Sequence, residues 1–298
     1  VIEIVGKKYV TPFSNGILAG SLMKAGLDVD KAYQMAADIR EKIEASHIER
    51  ITEEDLTAMA YQTLLDAGYS HVASYYQMWH SLRAEKQSII ILLGGATGIG
   101  KSTVAFETSH RLGIHSIIGT DIVREVMRKM VSKDLLPTLH TSSFSAWKAI
   151  QAPSSYLSSV IYAFELQTFH VSVGVNAIIH RAIKEGVNLV MEGIHLVPGH
   201  IDLQSETTFH FVLTLSDKEE HINRFHARAK DSRRPPEHYI REIDRIRQIQ
   251  DHIVGRAHKN EIPVLENKTL GETITQILNT IYERMQKEAE KHEYDEKK

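Results

Sequence analysis

Hydrophobic positions in the first part of the chain recur with two different periods. Val1 to Val10 reads as a strand-like opening that turns at Gly6-Lys7-Lys8. The spacing then changes to that of helices with one apolar face: Ile17, Leu18, Leu22 and Met23, followed by Ala32, Met35, Ala36, Ile39 and Ile43. A third stripe, Leu56, Met59, Ala60, Leu64 and Leu65, opens behind Thr52, whose hydroxyl suits an N-cap. An aromatic-rich fourth helix is expected over Val72 to Leu82. A hairpin plus four one-sided helices predicts a small, mainly helical domain. It should end near residue 86, in the polar stretch Arg83-Ala84-Glu85-Lys86-Gln87.

From residue 87 onward, short apolar runs alternate with helical stripes. Ile89 to Leu93 predicts a buried strand, and Ser102 to Leu112 a helix. His115 to Gly119 is a second strand, closing on Thr120-Asp121; the helix after it should carry Ile122, Val123, Val126, Met127 and Met130 on its apolar side. A long helix precedes the strand Val187 to Glu192. Thr208 to Thr214 and Ile262 to Leu265 supply two more strands. Ser216-Asp217-Lys218-Glu219 and Thr269-Leu270-Gly271-Glu272 have capping-box spacing, so helices should begin there. The last helix carries Ile274, Ile277, Leu278, Ile281 and Met285 and runs out into a charged, solvated tail. Strand and helix in alternation predict an α/β fold over 87–298, a parallel sheet flanked by helices behind the helical 1–86 domain, and the GxxxxGK[ST] loop Gly95–Ser102 after its first strand makes the P-loop kinase type the expected one.

The chemistry concentrates where the first of those strands meets its helix. Gly95-Ala96-Thr97-Gly98-Ile99-Gly100-Lys101-Ser102 fits GxxxxGK[ST], with Thr103 next in line. The glycines let successive backbone N–H groups face a triphosphate, Lys101 adds a mobile positive charge, and the Ser102 hydroxyl can bind Mg²⁺. The N-terminus of the following helix favours the same anion. Glu192, at the end of an apolar strand, takes the acidic Walker B position and would help to order Mg²⁺. ATP and Mg²⁺ are therefore the expected cofactors. Asp121 falls at a strand end beside the phosphate loop, where it could accept the proton of an acceptor hydroxyl or simply cap a helix. Arg124 and Arg128 share one helix face and would hold an anionic group of the acceptor.

Composition narrows the setting. The 298 residues include no cysteine, which excludes disulfides, thiolate metal sites and a cysteine nucleophile. No apolar run is long enough to span a membrane and no signal-peptide pattern is present, so a soluble, cytoplasmic protein is expected. A formal net charge of −3 argues against general nucleic-acid binding. Against that background, residues 224–256 hold nine Lys or Arg and five Asp or Glu. Arg224, Arg228, Arg233 and Arg234 head this patch, with Pro235-Pro236 breaking the helix behind them. They read as a lid that brings guanidinium groups over the phosphates, whereas Arg241, Arg245 and Arg247 read as a salt-bridged surface. In the working assignment Arg224 touches nucleotide, Arg228 offsets transition-state charge, and Arg233 and Arg234 bind the acceptor. His195 is a further candidate for acceptor contact. His140-Thr141-Ser142-Ser143 either lines the acceptor pocket or forms a plain polar loop. Glu266-Asn267-Lys268-Thr269-Leu270 lacks the Asp of a guanine-reading NKxD pattern, which disfavours a GTPase.

Two resemblances sharpen these readings. VIEIVGKKYVTPF, ILAGSLMKAG, AYQMAADIREKI and AGYSHVASYYQMWHSLR, in that order, resemble the ATP-cone, a small nucleotide-sensing domain. The likeness implies Lys7, Lys8 and Lys24 as candidates for phosphate contact, the alternative being solvated surface lysines. Across nearly the whole chain, IILLGGATGIGKST, IIGTDIVREVMR, LHTSSFSAW, VMEGIHLVPG and RFHARAKDSRRP resemble the archaeal 2-phosphoglycerate kinases. That resemblance implies transfer of the ATP γ-phosphate to 2-phosphoglycerate, a small anionic metabolite, giving 2,3-bisphosphoglycerate. Kinases acting on another phosphorylated metabolite, a nucleoside or an RNA end share the cradle and the lid. A non-catalytic ATP-sensing regulator shares the cradle as well. The sequence is also compatible with an oligomer.

Overall fold

The computed structural model describes residues 2–6, 9–85, 88–203, 205–231 and 235–296. It resolves two compact units, one made of Val1–Gln87, His110–Gly113 and Thr280–Lys298, the other of Ser88–Ser109 and Ile114–Asn279. Among the described residues no helix is long and apolar enough to cross a membrane.

The first unit opens with the hairpin β1 (Glu3–Val5) and β2 (Val10–Pro12), paired antiparallel. Four helices follow: α1 (Asn15–Lys24), α2 (Val29–Ala45), α3 (Glu53–Asp66) and α4 (Ser70–Glu85). The capping chemistry is local. Ser14, Asp28 and Thr52 each accept a bond from a backbone N–H three residues on, which satisfies donors at the starts of α1, α2 and α3. All five apolar positions of the α2 stripe are buried, as the spacing predicts, whereas Ile17 of α1 faces outward. A strand the sequence did not announce, β3 (Arg50–Thr52), lies parallel to β1 with Ile51 opposite Ile4. At three residues with one buried position, it carries no readable period.

In the second unit five parallel strands form one sheet in the order β5-β6-β4-β7-β8. These are β4 (Ile90–Gly94), β5 (Ser116–Gly119), β6 (Leu189–Gly193), β7 (Thr208–Thr214) and β8 (Val264–Glu266). Central β4 is buried throughout, which explains an apolar run without alternation. Helices α5 (Lys101–Leu112), α6 (Thr120–Met130), α7 (Ser159–Glu185), α8 (Lys218–Asp231), α9 (Pro236–Arg241), α10 (Ile243–Lys259) and α11 (Leu270–Glu296) complete the alternation, α5 from His110 and α11 from Thr280 being counted with the first unit. Two short 3₁₀ segments, Pro137–His140 and Ser143–Ala149, lie between α6 and α7.

Two expectations need correction. In α6 only Val123 of the five apolar positions is buried; Met127 is half-buried, and Ile122, Val126 and Met130 are exposed. The inward stripe is narrower than the composition suggests because α6 packs on α7 at Gly174, where there is room for Val123 and Met127 alone. The cap of α8 is Asp217, whose carboxylate accepts from the N–H groups of Glu219 and Glu220. Ser216 instead bonds to Glu266 through both its N–H and its hydroxyl. The Thr269 cap is as expected, its hydroxyl donating to Glu272.

Candidate active site

The glycine-rich turn leaves β4 at the carboxyl end of the sheet, the edge at which open α/β sheets bind ligands. Gly95 has φ +140°, and a Cβ there would lie 2.4 Å from the carbonyl oxygen of Leu213 on β7. Gly98 has φ +90°, and its missing side chain leaves space for the Phe225 ring, 2.5 Å from where a Cβ would be. No L side chain fits either position, so the loop conformation is written into these two residues.

The loop is also braced from behind. His221 bonds through Nε2 to the Thr97 carbonyl at 2.7 Å, and its ring stacks on Phe225. Asn267 donates to the Ile99 carbonyl at 2.7 Å and accepts from the Thr273 hydroxyl. Arg224 spends its guanidinium on the carbonyls of Ile99 at 3.0 Å and Asn267 at 2.7 Å, and pairs with Glu220. Expected to reach nucleotide as part of a lid, Arg224 instead ties the phosphate loop to the turn after β8. The reason is its position in the second turn of α8, beside that loop. Carbonyls held from outside leave the loop N–H groups free to face inward.

Lys101 is buried and bends back to donate to the Ala96 carbonyl at 2.6 Å. Burial lowers its pKa; the charges of Glu192 and Asp121 push it back up, and that of Arg228 lowers it again. Four groups assigned to one reaction on sequence grounds thus share one electrostatic neighbourhood. Ser102 Oγ donates to Glu192 Oε1 at 3.0 Å. Among the described residues no cluster of three or more His, Cys, Asp or Glu would hold a metal unaided. A hydroxyl and a carboxylate side by side do fit Mg²⁺ arriving with a nucleotide, since that ion keeps oxygen ligands and takes few from the protein.

The residues expected to meet the acceptor lie on α6. Asp121 lies in the first turn, its side chain 60 % exposed and 3.7 Å from Arg124. It is not the helix cap: that position is Gly119, with no side-chain bond. Arg124 is mostly buried, donates through Nη1 to the Thr141 carbonyl, and leaves Nε buried with no partner in the protein. Arg128 pairs with Glu125 at 2.6 Å, and its Nε is likewise unpartnered. The two arginines of one face are therefore held by different carboxylates, and each keeps a donor in reserve. Arg228 is exposed on α8, and Arg233 and Arg234 lie outside the described residues. Pro235 is the N-cap of α9, which starts at Pro236. Arg241 and Arg245 bond within their own stretch, to Glu237 and Glu242, whereas Arg247 reaches the Leu215 and Ser216 carbonyls.

His195 needs correction. Expected to touch the acceptor, it is fully buried: Nδ1 is 2.9 Å from the Thr120 hydroxyl, and Nε2 is 3.2 Å from Gln167 Oε1. Burial lowers its pKa to about 3, so the ring is neutral. It follows Glu192 by three residues at the end of β6, which carries it beneath the site rather than into it. Of the loop His140-Thr141-Ser142-Ser143, His140 bonds to the Val131 carbonyl and Ser143 lies 3.4 Å from His195. The sequence did not single out Gln167, Thr120, His221 or Phe225. It weighed Asn267 only as part of an incomplete guanine pattern. Each acts on a residue far away in the chain, and no local spacing signals that.

A braced triphosphate cradle facing a carboxylate and arginines at the carboxyl edge of a parallel sheet defines a P-loop kinase of small molecules. The comparisons agree. Residues 4–85 match the ATP cone domain. A 2-phosphoglycerate kinase of Pyrococcus horikoshii is 43% identical, over 94% of this chain and 92% of its own. That of Pyrococcus furiosus is 44% identical over 95% and 93%, and that of Methanocaldococcus jannaschii 42% over 95% and 92%. A gluconokinase from Sinorhizobium meliloti 1021 covers 70% of this chain and 97% of its own at 15% identity, with a TM-score of 0.38, too low to carry weight. This chain belongs to the 2-phosphoglycerate kinase family.

Proposed function

We propose that the protein transfers the γ-phosphoryl group of ATP to the free hydroxyl of 2-phosphoglycerate, giving 2,3-bisphosphoglycerate and ADP. The observation that carries this reading is the Ser102–Glu192 pair, Oγ to Oε1 at 3.0 Å, beside buried Lys101 of the glycine loop, with Asp121 and Arg124 3.7 Å apart at the start of α6. The loop amides and Lys101 grip the triphosphate, and Lys101 leaves the Ala96 carbonyl to do so. Ser102 and Glu192 would hold Mg²⁺, which would supply positive charge to offset that of the triphosphate. Asp121 orients the acceptor hydroxyl and takes its proton as that oxygen bonds to the γ-phosphorus and the bond to ADP breaks. Arg124 and Arg128 offer guanidinium charge to the carboxylate and phosphate of the acceptor. Arg228 offsets charge in the transition state.

Two anions brought together by a net-negative protein need concentrated guanidinium groups, and Arg124, Arg128 and Arg228 are read as supplying them. The N-terminal unit is read as a nucleotide sensor. Its Lys24 is exposed, and Lys7 and Lys8 lie outside the described residues. ATP binding to the full chain with a stoichiometry of two supports that role, and a stoichiometry of one removes it. The catalytic reading is tested by acceptor-dependent ADP release with 2-phosphoglycerate, 3-phosphoglycerate, nucleosides and short RNAs. Turnover with 2-phosphoglycerate alone is expected. Preference for another acceptor overturns the substrate, and no turnover with any leaves a sensor. Asp121→Asn should lower kcat at least about 100-fold with ATP binding retained.

A further inference from the structure

Beneath the acceptor side lies a buried polar chain that the mechanism does not use. Gln167, on the inner face of α7, is fully buried, as are His195 and Thr120, while Thr138 is 1% exposed. Unpaired, such groups would each cost about 1–3 kcal/mol, so the order of their bonds is tightly constrained. Gln167 Nε2 donates to the Thr138 carbonyl and, at 3.1 Å, to the Thr141 carbonyl. Its oxygen therefore faces His195 and accepts from Nε2–H at 3.2 Å. That leaves Nδ1 of the neutral ring as acceptor for the Thr120 hydroxyl at 2.9 Å. Each donor of Gln167, His195 and Thr120 meets an acceptor along the line, with Ser143 Oγ a weaker neighbour of Nε2 at 3.4 Å; Thr138 takes part through its carbonyl alone, its hydroxyl being buried without a partner.

The two ends of this chain are at the site. Thr120 immediately precedes Asp121 at the start of α6. Thr141 presents the carbonyl that also takes the Arg124 guanidinium. His195 stands three residues beyond Glu192. We propose that Gln167 and His195 are positioning residues: together they fix the Thr138–Thr141 turn and the start of α6, so that Arg124 and Asp121 face an acceptor at a set distance from the phosphate loop. Neither touches substrate. Gln167 acts through the Thr141 carbonyl on Arg124, and His195 acts through Thr120 on Asp121. A purely structural core group would weaken both substrates' binding or neither. This chain serves one side of the reaction, so the effect of breaking it must fall on the acceptor.

The inference rests on the reading that the acceptor binds at Asp121 and Arg124, and the test keeps the two separable. Steady-state kinetics of the full chain are measured with 2-phosphoglycerate, or with whichever acceptor of the panel the wild type turns over best. Gln167→Met keeps the length and removes both donors. It should raise the acceptor KM about tenfold or more and leave the ATP KM within about twofold. Gln167→Met combined with Arg124→Lys should raise the acceptor KM by less than the product of the single effects, because both side chains act on the Thr141 carbonyl. Thr120→Val should raise it in the same direction, whereas Thr120→Ser, which keeps the hydroxyl, should not. Should Gln167→Met fail to fold, the Thr120 pair decides alone. An unchanged acceptor KM in folded variants, equal rises for ATP and acceptor, or multiplying effects in the double variant would overturn the positioning role with the kinase reading intact. A wild type that phosphorylates nothing removes both.

Discussion

The phosphate loop and the Pro137–Ala149 segment, which lie at the nucleotide and acceptor sides of the proposed site, are held in place by opposite means. The loop's shape comes from its own backbone: glycines at positive φ sit where a Cβ would strike Leu213 or Phe225, and side chains bonded to its carbonyls only brace it. The acceptor segment has no such intrinsic shape. Two 3₁₀ turns are fixed by side chains from elsewhere: Gln167 of α7, Arg124 of α6, and His195 beyond β6. One region is specified by a contiguous motif, the other by a network gathered from three elements. Chemistry that is common to many reactions can live in a portable loop. Recognition of one particular acceptor depends on the rest of the fold.

The largest effect should come from breaking the self-specified half. Gly95→Ala puts a methyl group 2.4 Å from the Leu213 carbonyl oxygen, at φ +140°. A backbone oxygen of a central strand cannot give way, so the loop must leave its conformation. ATP-dependent turnover should fall at least about 1000-fold, while the N-terminal unit keeps its fold. Activity within about tenfold of wild type would mean that the loop tolerates a different shape. Near-normal circular dichroism beside lost turnover would confirm that the defect is local.

The same contrast explains what could be read in advance. GxxxxGK[ST] is legible because all its mechanical parts are neighbours in the chain, and the Ser102–Glu192 pair follows once β4 and β6 are recognised as adjacent strands. The α2 stripe, the Thr52 cap and the parallel sheet were equally plain, since period and capping are local properties. Arg224 was misjudged because an arginine beside a proline break reads as a lid, and its carbonyl partners lie over forty residues away at the nearest. His195 was misjudged for a similar reason. A histidine next to a Walker B acid reads as chemistry until burial is known. The outward apolar residues of α6 misled in the other direction, because spacing cannot tell how wide a strip the neighbouring helix covers.

An effect of intermediate size should expose the network half. His195 and His210 are buried and neutral, with pKa lowered to about 3 and about 4, chiefly by desolvation. Their unfolded counterparts take up protons near 6.5. Between pH 6.5 and 4 the unfolded chain therefore binds more protons than the folded one, and stability must fall as pH falls. Each histidine contributes a slope approaching about 1.4 kcal/mol per pH unit, and both contributions are absent above the unfolded pKa. Denaturant midpoints measured from pH 7 to 5 should drop progressively in the wild type. His195→Asn should flatten that slope by about one proton. The Glu165 carboxylate, held low between His200 and His252 despite partial burial, matters only below its ordinary range and leaves this window clear. An equal slope in His195→Asn would mean that the ring is charged in the folded protein, and the donor order of the Gln167–His195–Thr120 chain would be wrong.

The smallest effect, and the one that most sharpens the comparison, concerns Arg224. If the loop's shape resides in its glycines and its outer bonds only brace it, removing one brace should loosen the cradle without destroying it. Arg224→Met keeps the aliphatic stem beside Phe225 and Asn267 but deletes the donors to the Ile99 and Asn267 carbonyls. Asn267 and His221 still hold the Ile99 and Thr97 carbonyls. With the bonds to the Ile99, Asn267 and Lys268 carbonyls and the Glu220 pair lost, and the two neutral bonds of Asn267 and His221 kept, the ATP KM should rise about tenfold, the acceptor KM should stay within about twofold, and kcat should change little. This is the mirror image of the pattern expected for Gln167→Met. A lid arginine in contact with the transferring phosphoryl group would behave otherwise, lowering kcat by about 1000-fold or more. The ratio of the two effects, KM against kcat, therefore decides whether Arg224 is a brace of the loop or a participant in the chemistry.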